Sequence, residues 1–159
     1  MTAPWFEDEN ETYQNEPYDE FAPDPLYRCI SAEAKWDPQA KISESFATLS
    51  EFENLVMQVC QQQEDIHERL DTLLDMFYTQ WMFSVSSLKV PEYTLNSFSY
   101  TLAMRSGSPT TLGILLCHLL CHANYDASVC ISNSDVNVHI AISDEEGYVL
   151  EPSSGQQSW

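Results

Sequence analysis

The sequence predicts an α+β fold, in which a helical N-terminal half is followed by a small antiparallel sheet packed on a buried central helix. Three observations carry this expectation. Apolar residues recur at spacings of three and four through the first half of the chain, the mark of helices with one buried face. Residues Leu112, Ile114, Leu115, Leu116, Leu119, Leu120 and Ala123 then leave no polar face at all, so the helix they form belongs in the middle of the domain. Beyond Tyr125 the apolar period falls from about 3.6 to 2, the change from helix to strand.

Taken in order, residues 1–23 contain seven acidic and no basic residues, with Trp5, Phe6, Tyr13, Tyr18 and Phe21 interleaved. Such a segment does not pack alone and is expected to be an extended or disordered tail, leaving residues 24–159 as the folded domain. Asp24-Pro25 and Asp37-Pro38 each read as an N-cap followed by proline at the first helical position. They predict a short helix from Pro25 to Lys35 and a second whose stripe, Ile42, Phe46, Leu49, Phe52, Val56 and Val59, reaches Cys60. A third stripe runs through Ile66, Leu70, Leu73, Leu74, Phe77 and Trp81. Between Ser84 and Thr94 the pattern lapses around Pro91, which predicts a connector. A brief helix resumes over Asn96 to Met104.

Gly107, Ser108 and Pro109 then supply a turn residue, an N-cap and a first helical residue for the central helix. That helix is too short and too interrupted to span a bilayer. After it, Val129 to Ile131, Val136 to Ile142 and Tyr148 to Leu150 alternate as three strands, the last two joined by a turn at Asp144-Glu145-Glu146-Gly147.

Composition narrows the function classes. The chain has 159 residues, 43% of them hydrophobic, enough for one domain with a proper core. A formal charge of −19, from 25 acidic against 6 basic residues, repels a phosphate backbone or an anionic membrane, so neither nucleic acid nor membrane is an expected partner. The five cysteines, Cys29, Cys60, Cys117, Cys121 and Cys130, are an odd set scattered through apolar segments behind no secretory leader. They predict reduced thiols in the cytoplasm.

Two sets of residues have the spacing for chemistry. Cys117-His118 and Cys121-His122 repeat at four residues, so the thiols share one helix face and the imidazoles the adjacent one. The thiols stand in register with Leu112, Leu116 and Leu120, which predicts a core-facing, structural role, with two-histidine surface chelation as the weak form of a metal site. No metal and no cofactor are therefore expected. His139 is different: within its strand it shares a face with Asn137 and Ala141, opposite Val136, Val138, Ile140 and Ile142. Glu151 follows one hairpin later, where antiparallel pairing would set a carboxylate beside the imidazole, half of a catalytic triad.

The order of these parts resembles the transglutaminase-like proteins of the SirB type, bacterial proteins with a transglutaminase or papain-like core followed by tetratricopeptide-like helices. Asn96-Ser97-Phe98, Arg105-Ser106-Gly107-Ser108-Pro109-Thr110-Thr111-Leu112, His139, and Glu151-Pro152 with Gly155 carry the resemblance, which covers about Leu26 to Gln156. The helical extension of the family is missing, which reads as a shortened relative or a truncated chain. The resemblance implies a papain/transglutaminase-like core. It also implies a lost nucleophile. Active members of the wider superfamily carry a cysteine two residues after the glycine, and this chain has Pro109 there, a loss that the SirB-type relatives share. The Pro-Gly usual before the histidine is Asn137-Val138, and the usual Asp-Pro is Glu151-Pro152.

The expected function is thus a non-catalytic transglutaminase-like domain acting as a protein-interaction or regulatory module. The alternative is a hydrolase or acyl transferase with Thr110 or Thr111 as nucleophile, His139 as base and Glu151 as orienter. The expected partner is a protein or a second copy of the chain. Either the tail or a neighbour would cover an apolar surface anticipated near Val149, Leu150 and Trp159.

Overall fold

The computed structural model of the chain describes residues 24–86, 91–133 and 135–158. The acidic segment over residues 1–23 and Trp159 lie outside them, and so do the expectations placed there.

Pro25 opens helix α1 (Pro25–Ala32), which buries Leu26 and Ile30 and tightens into a 3-10 turn over Glu33–Lys35. Asp24 stands at its N-cap, yet its side chain caps nothing. The next start is displaced from the expected one. Asp37 accepts a hydrogen bond on Oδ1 from the Gln39 N–H (3.0 Å), closing a local turn of the kind that aspartate favours, and helix α2 begins only at Ile42 (Ile42–Gln62). Leu49, Phe52, Val56 and Val59 are buried along it as the stripe predicts, and Glu53 is buried among them.

Helix α3 (Ile66–Asp75) is capped by Asp65, whose Oδ1 accepts from the N–H groups of His67 (3.0 Å) and Glu68 (2.9 Å). It continues as a π-helical turn over Met76–Gln80 that keeps Phe77 in the core. The expected connector contains structure of its own: strand β1 (Ser84–Val85) and a single helical turn, α4 (Glu92–Leu95). Helix α5 (Phe98–Met104) follows, and then strand β2 (Ser106–Gly107), which runs parallel to β1. Gly107 is required there because a Cβ would stand 2.5 Å from Thr101 Oγ1 on α5. The start of α5 is held from the 3-10 turn that follows α1. The buried Glu33 carboxylate accepts from Ser97 Oγ (2.6 Å), the Phe98 N–H (2.9 Å) and the Ser99 N–H (3.3 Å), so a negative charge sits at the positive end of that helix.

Helix α6 (Pro109–His122) is the central helix, entered as expected through Ser108, whose Oγ accepts from the Thr111 N–H at 3.1 Å. Leu112, Leu115, Leu116, Leu119 and Leu120 are all buried. Four antiparallel strands follow in the spatial order β3-β4-β5-β6: β3 (Asp126–Ser132), β4 (Asp135–Ala141), β5 (Gly147–Leu150) and β6 (Gln157–Ser158). α6 packs on β3 and β4, and Val138, Ile140 and Leu150 join its leucines in one core. The architecture is α+β, with helices first and the sheet on the central helix.

Of the residues around which an apolar surface is anticipated, Leu150 is 0% exposed and packs in the core, and Val149 is half-buried with β6 paired alongside. The bend between β5 and β6 is pinned by Tyr78, whose hydroxyl donates to the Pro152 carbonyl at 2.6 Å while its ring lies against Gly155. No helix among the described residues is long and apolar enough to cross a membrane.

Candidate site at the N-terminus of the central helix

The N-terminus of α6 opens into a depression of about 560 Å3 lined by Leu95, Asn96, Phe98, Ser108, Pro109, Thr110, Thr111, Ile114 and Val136. Pro109 is exposed and Thr110 half-buried. Thr111 is buried and its hydroxyl is committed, donating to the Leu95 carbonyl at 3.1 Å and lying 2.9 Å from Ser108 Oγ. Ser108 Oγ in turn donates to Asn96 Oδ1 at 2.7 Å. These contacts fix the loop before α6 against α4. None of the described lining residues carries an acid, a basic nitrogen or a thiol.

The strand wall of the depression comes from β4, and the residue that reaches it is Val136. Three positions on, the alternation of the strand turns His139 the other way: Val138 and Ile140 are buried towards α6, and His139 is exposed. Across the sheet His139 pairs with Ser128 on β3 and Val149 on β5. Glu151 stands two residues beyond Val149 and is exposed beside Asp135, Asn137 and Gln156. Its backbone is spent on the turn, the N–H donating to the Gln156 carbonyl (3.0 Å) and the carbonyl accepting from Gly155 (2.7 Å). Among the described residues no hydrogen bond joins His139 to Glu151, Thr110 or Thr111.

A second constellation lies near the other end of α6, and there the expected assignment of faces is reversed. His118 points inward and is 9% exposed, while Cys117 is half-buried and Cys121 is exposed, its Sγ lying 3.6 Å from the Ala127 carbonyl of β3. The thiols sit on the sheet side of the helix. The imidazoles face α1 and α2, because α2 offers them a carboxylate. His118 Nε2 meets Glu53 Oε2 at 2.5 Å, and His122 Nε2 lies 3.3 Å from the same oxygen and 3.5 Å from Asp24 Oδ2. Tyr27 donates its hydroxyl to Glu53 Oε1 at 2.8 Å.

Burial alone would raise the Glu53 pKa, but the hydrogen bonds from His118 and Tyr27 and the neighbouring histidine charges outweigh it and hold the carboxyl below its ordinary value. The Cys117 thiol is pushed up to about 12, first by burial and then by Cys121 and Cys130, so it is no nucleophile. Spacing showed the two histidines. It missed Asp24 and Glu53, although position 53 falls on the buried stripe of α2, beside Phe52 and between Leu49 and Val56, where an acid has to have a partner.

A family model described as the transglutaminase-like superfamily matches residues 44–158, a span that takes in α6, His139 and Glu151. No curated protein and no solved structure matches the chain.

Proposed function

The chain belongs to the transglutaminase-like superfamily, and from that premise we propose that it is a non-catalytic, SirB-type member that works in the cytoplasm as a protein-interaction or regulatory module. The observation that carries the reading is the lining of the depression at the N-terminus of α6. Acyl transfer needs a nucleophile with a base in hydrogen-bond reach, and here the helix begins with Pro109, which has neither a nucleophile nor an N–H to offer an oxyanion. The strand residue opposite is Val136, and the Thr111 hydroxyl is held by a carbonyl. Five free thiols fit a reducing compartment.

A fold that keeps its cleft without its chemistry still presents surface. Trp36 (50% exposed) and Tyr93 (66% exposed) flank a groove of about 350 Å3 between the turn before α2 and the α4–α5 region. Exposed aromatic residues beside a groove are suited to anchor a protein partner.

The chemical half of the reading is tested with a panel of ester, amide and peptide substrates and acyl-directed electrophiles on the intact chain. The expected outcome is no turnover and no labelling of Thr110 or Thr111; turnover abolished by His139→Ala would refute it. For the interaction half, a photocrosslinker placed at residue 93 should join one defined protein, or a second copy of the chain, in a Trp36-dependent way. Crosslinks unchanged by Trp36→Ala would remove the groove from the reading.

A further inference from the structure

We propose that Asp24, Glu53, His118 and His122 form a binding site for one divalent transition-metal ion, zinc in the first instance, which ties the start of α1 and the middle of α2 to the C-terminal turn of α6. One donor atom from each of the four residues lies within 4.8 Å of all the others. A tetrahedral zinc with bonds of about 2.0–2.2 Å needs its nitrogen and oxygen donors about 3.3–3.5 Å apart. The separations of His122 Nε2 from Glu53 Oε2 (3.3 Å) and from Asp24 Oδ2 (3.5 Å) already meet that requirement. His118 and Glu53, in direct contact at 2.5 Å, must open by roughly 0.8 Å to admit the ion, a small rotation of either side chain.

Three further observations point to a ligand rather than to an incidental ion pair. Asp24 occupies the N-cap of a helix that begins with proline and makes no cap hydrogen bond; its carboxylate is turned to the two histidines instead. Glu53 is only 9% exposed, so a second carboxylate has been brought from the buried stripe of α2 to the same point. Tyr27 holds Glu53 by Oε1 and leaves Oε2 directed at the imidazoles, the arrangement by which an outer hydrogen bond orients a metal-binding carboxylate. With both rings in the neutral form that binds metals, the cluster carries a charge of −2, which a divalent ion cancels.

Two imidazoles and two carboxylates suit zinc, and cobalt is its spectroscopic substitute. The two thiols of α6 take no part: they lie on the other side of the helix, towards β3. Asp24 precedes the span that matches the family model, so the full donor set is a feature of this chain and not of the family match alone.

The test uses the intact, untagged chain, stripped with a chelator and dialysed against zinc, with cobalt absorption as the second readout. The expected result is one zinc per chain, and cobalt bands of four-coordinate intensity without a thiolate charge-transfer band. His122→Ala and Asp24→Asn, both at partly exposed positions and checked for native circular dichroism, should weaken binding at least tenfold, and Tyr27→Phe by about 10–100-fold as an outer-sphere loss. Cys117→Ser/Cys121→Ser should leave it unchanged. Failure to retain zinc, binding that survives both His122→Ala and Asp24→Asn, or binding lost only with the cysteines would each overturn the assignment.

Discussion

Replacing Pro109 with cysteine puts a thiol at the position to which the resemblance assigns the superfamily's nucleophile, and the structure says how little activation it would find there. Position 109 is the first residue of α6 and is exposed. There the helix N-terminus favours a thiolate by about 0.3–1 kcal/mol, or roughly 0.2–0.7 of a pKa unit, which takes an ordinary thiol from about 8.5 to about 8. A thiol paired with an imidazole falls much further, to about 3–4. The strand wall facing this helix end is Val136, while His139 lies on the opposite face of β4, so only the smaller effect is available. Because five native cysteines are present, the alkylation rate is followed against pH by mass spectrometry of the peptide that carries residue 109. We expect an apparent pKa near 8 that His139→Ala does not move, and no turnover. Adding Val136→His to Pro109→Cys sets an imidazole on the wall of the depression and should lower that pKa. A Pro109→Cys thiol already titrating below about 6, and losing that acidity with His139→Ala, would show that His139 reaches the helix end and refute the reasoning.

Glu33→Ala should cost about 3–5 kcal/mol in urea unfolding, because it strands the Ser97 hydroxyl and the Phe98 and Ser99 amides in a buried site. Glu33→Gln, which keeps one carbonyl acceptor, should cost about 1–3, and a Glu33→Gln variant as stable as the parent would show that charge at the start of α5 is irrelevant. Gly155→Ala should cost about 2–3 kcal/mol, since φ is +70° and the added Cβ would stand 2.5 Å from Tyr78 Cε2, displacing the ring whose hydroxyl holds Pro152; a melting temperature within a degree of the parent would mean that the bend before β6 adds little to stability.

The helices were legible in the sequence wherever one apolar stripe met one kind of solvent-facing residue. The stripe of α2 predicts Ile42, Phe46, Leu49, Phe52, Val56 and Val59 on the buried face; the last four are in the core, and Ile42 and Phe46 pack half-buried against it. What local reasoning got wrong was the start of that helix, because an aspartate followed by proline serves a turn as readily as a helix, and the Gln39 N–H took the carboxylate first. The segment from Ser84 to Thr94 holds β1 for a reason that no local pattern carries: its Ser84 N–H donates to Arg105 and its Ser86 N–H to Gly107, two residues on the far side of α5. β6 escaped for the same reason, since Gln157 and Ser158 are strand only by pairing with Leu150 and Val149.

The site shows the limit of periodicity in a sharper form. A period of 2 correctly set His139 opposite Val138 and Ile140, and with that single step it also turned the imidazole away from the helix N-terminus that a triad would need. On α6 the same kind of reasoning failed, because the helix is apolar nearly all round and no polar stripe distinguishes its sides. The decision fell to the neighbours. β3 offers the Cys121 thiol only a backbone carbonyl, a weak partner for sulfur, whereas α2 offers Glu53, a buried charge that must itself be satisfied. A buried carboxylate without a partner is costly, so the fold turns the two imidazoles towards it and leaves the thiols on the sheet side. An acid on an otherwise apolar helix stripe is therefore the signal to seek first in such a chain, and the i, i+4 histidines of the facing helix are its answer.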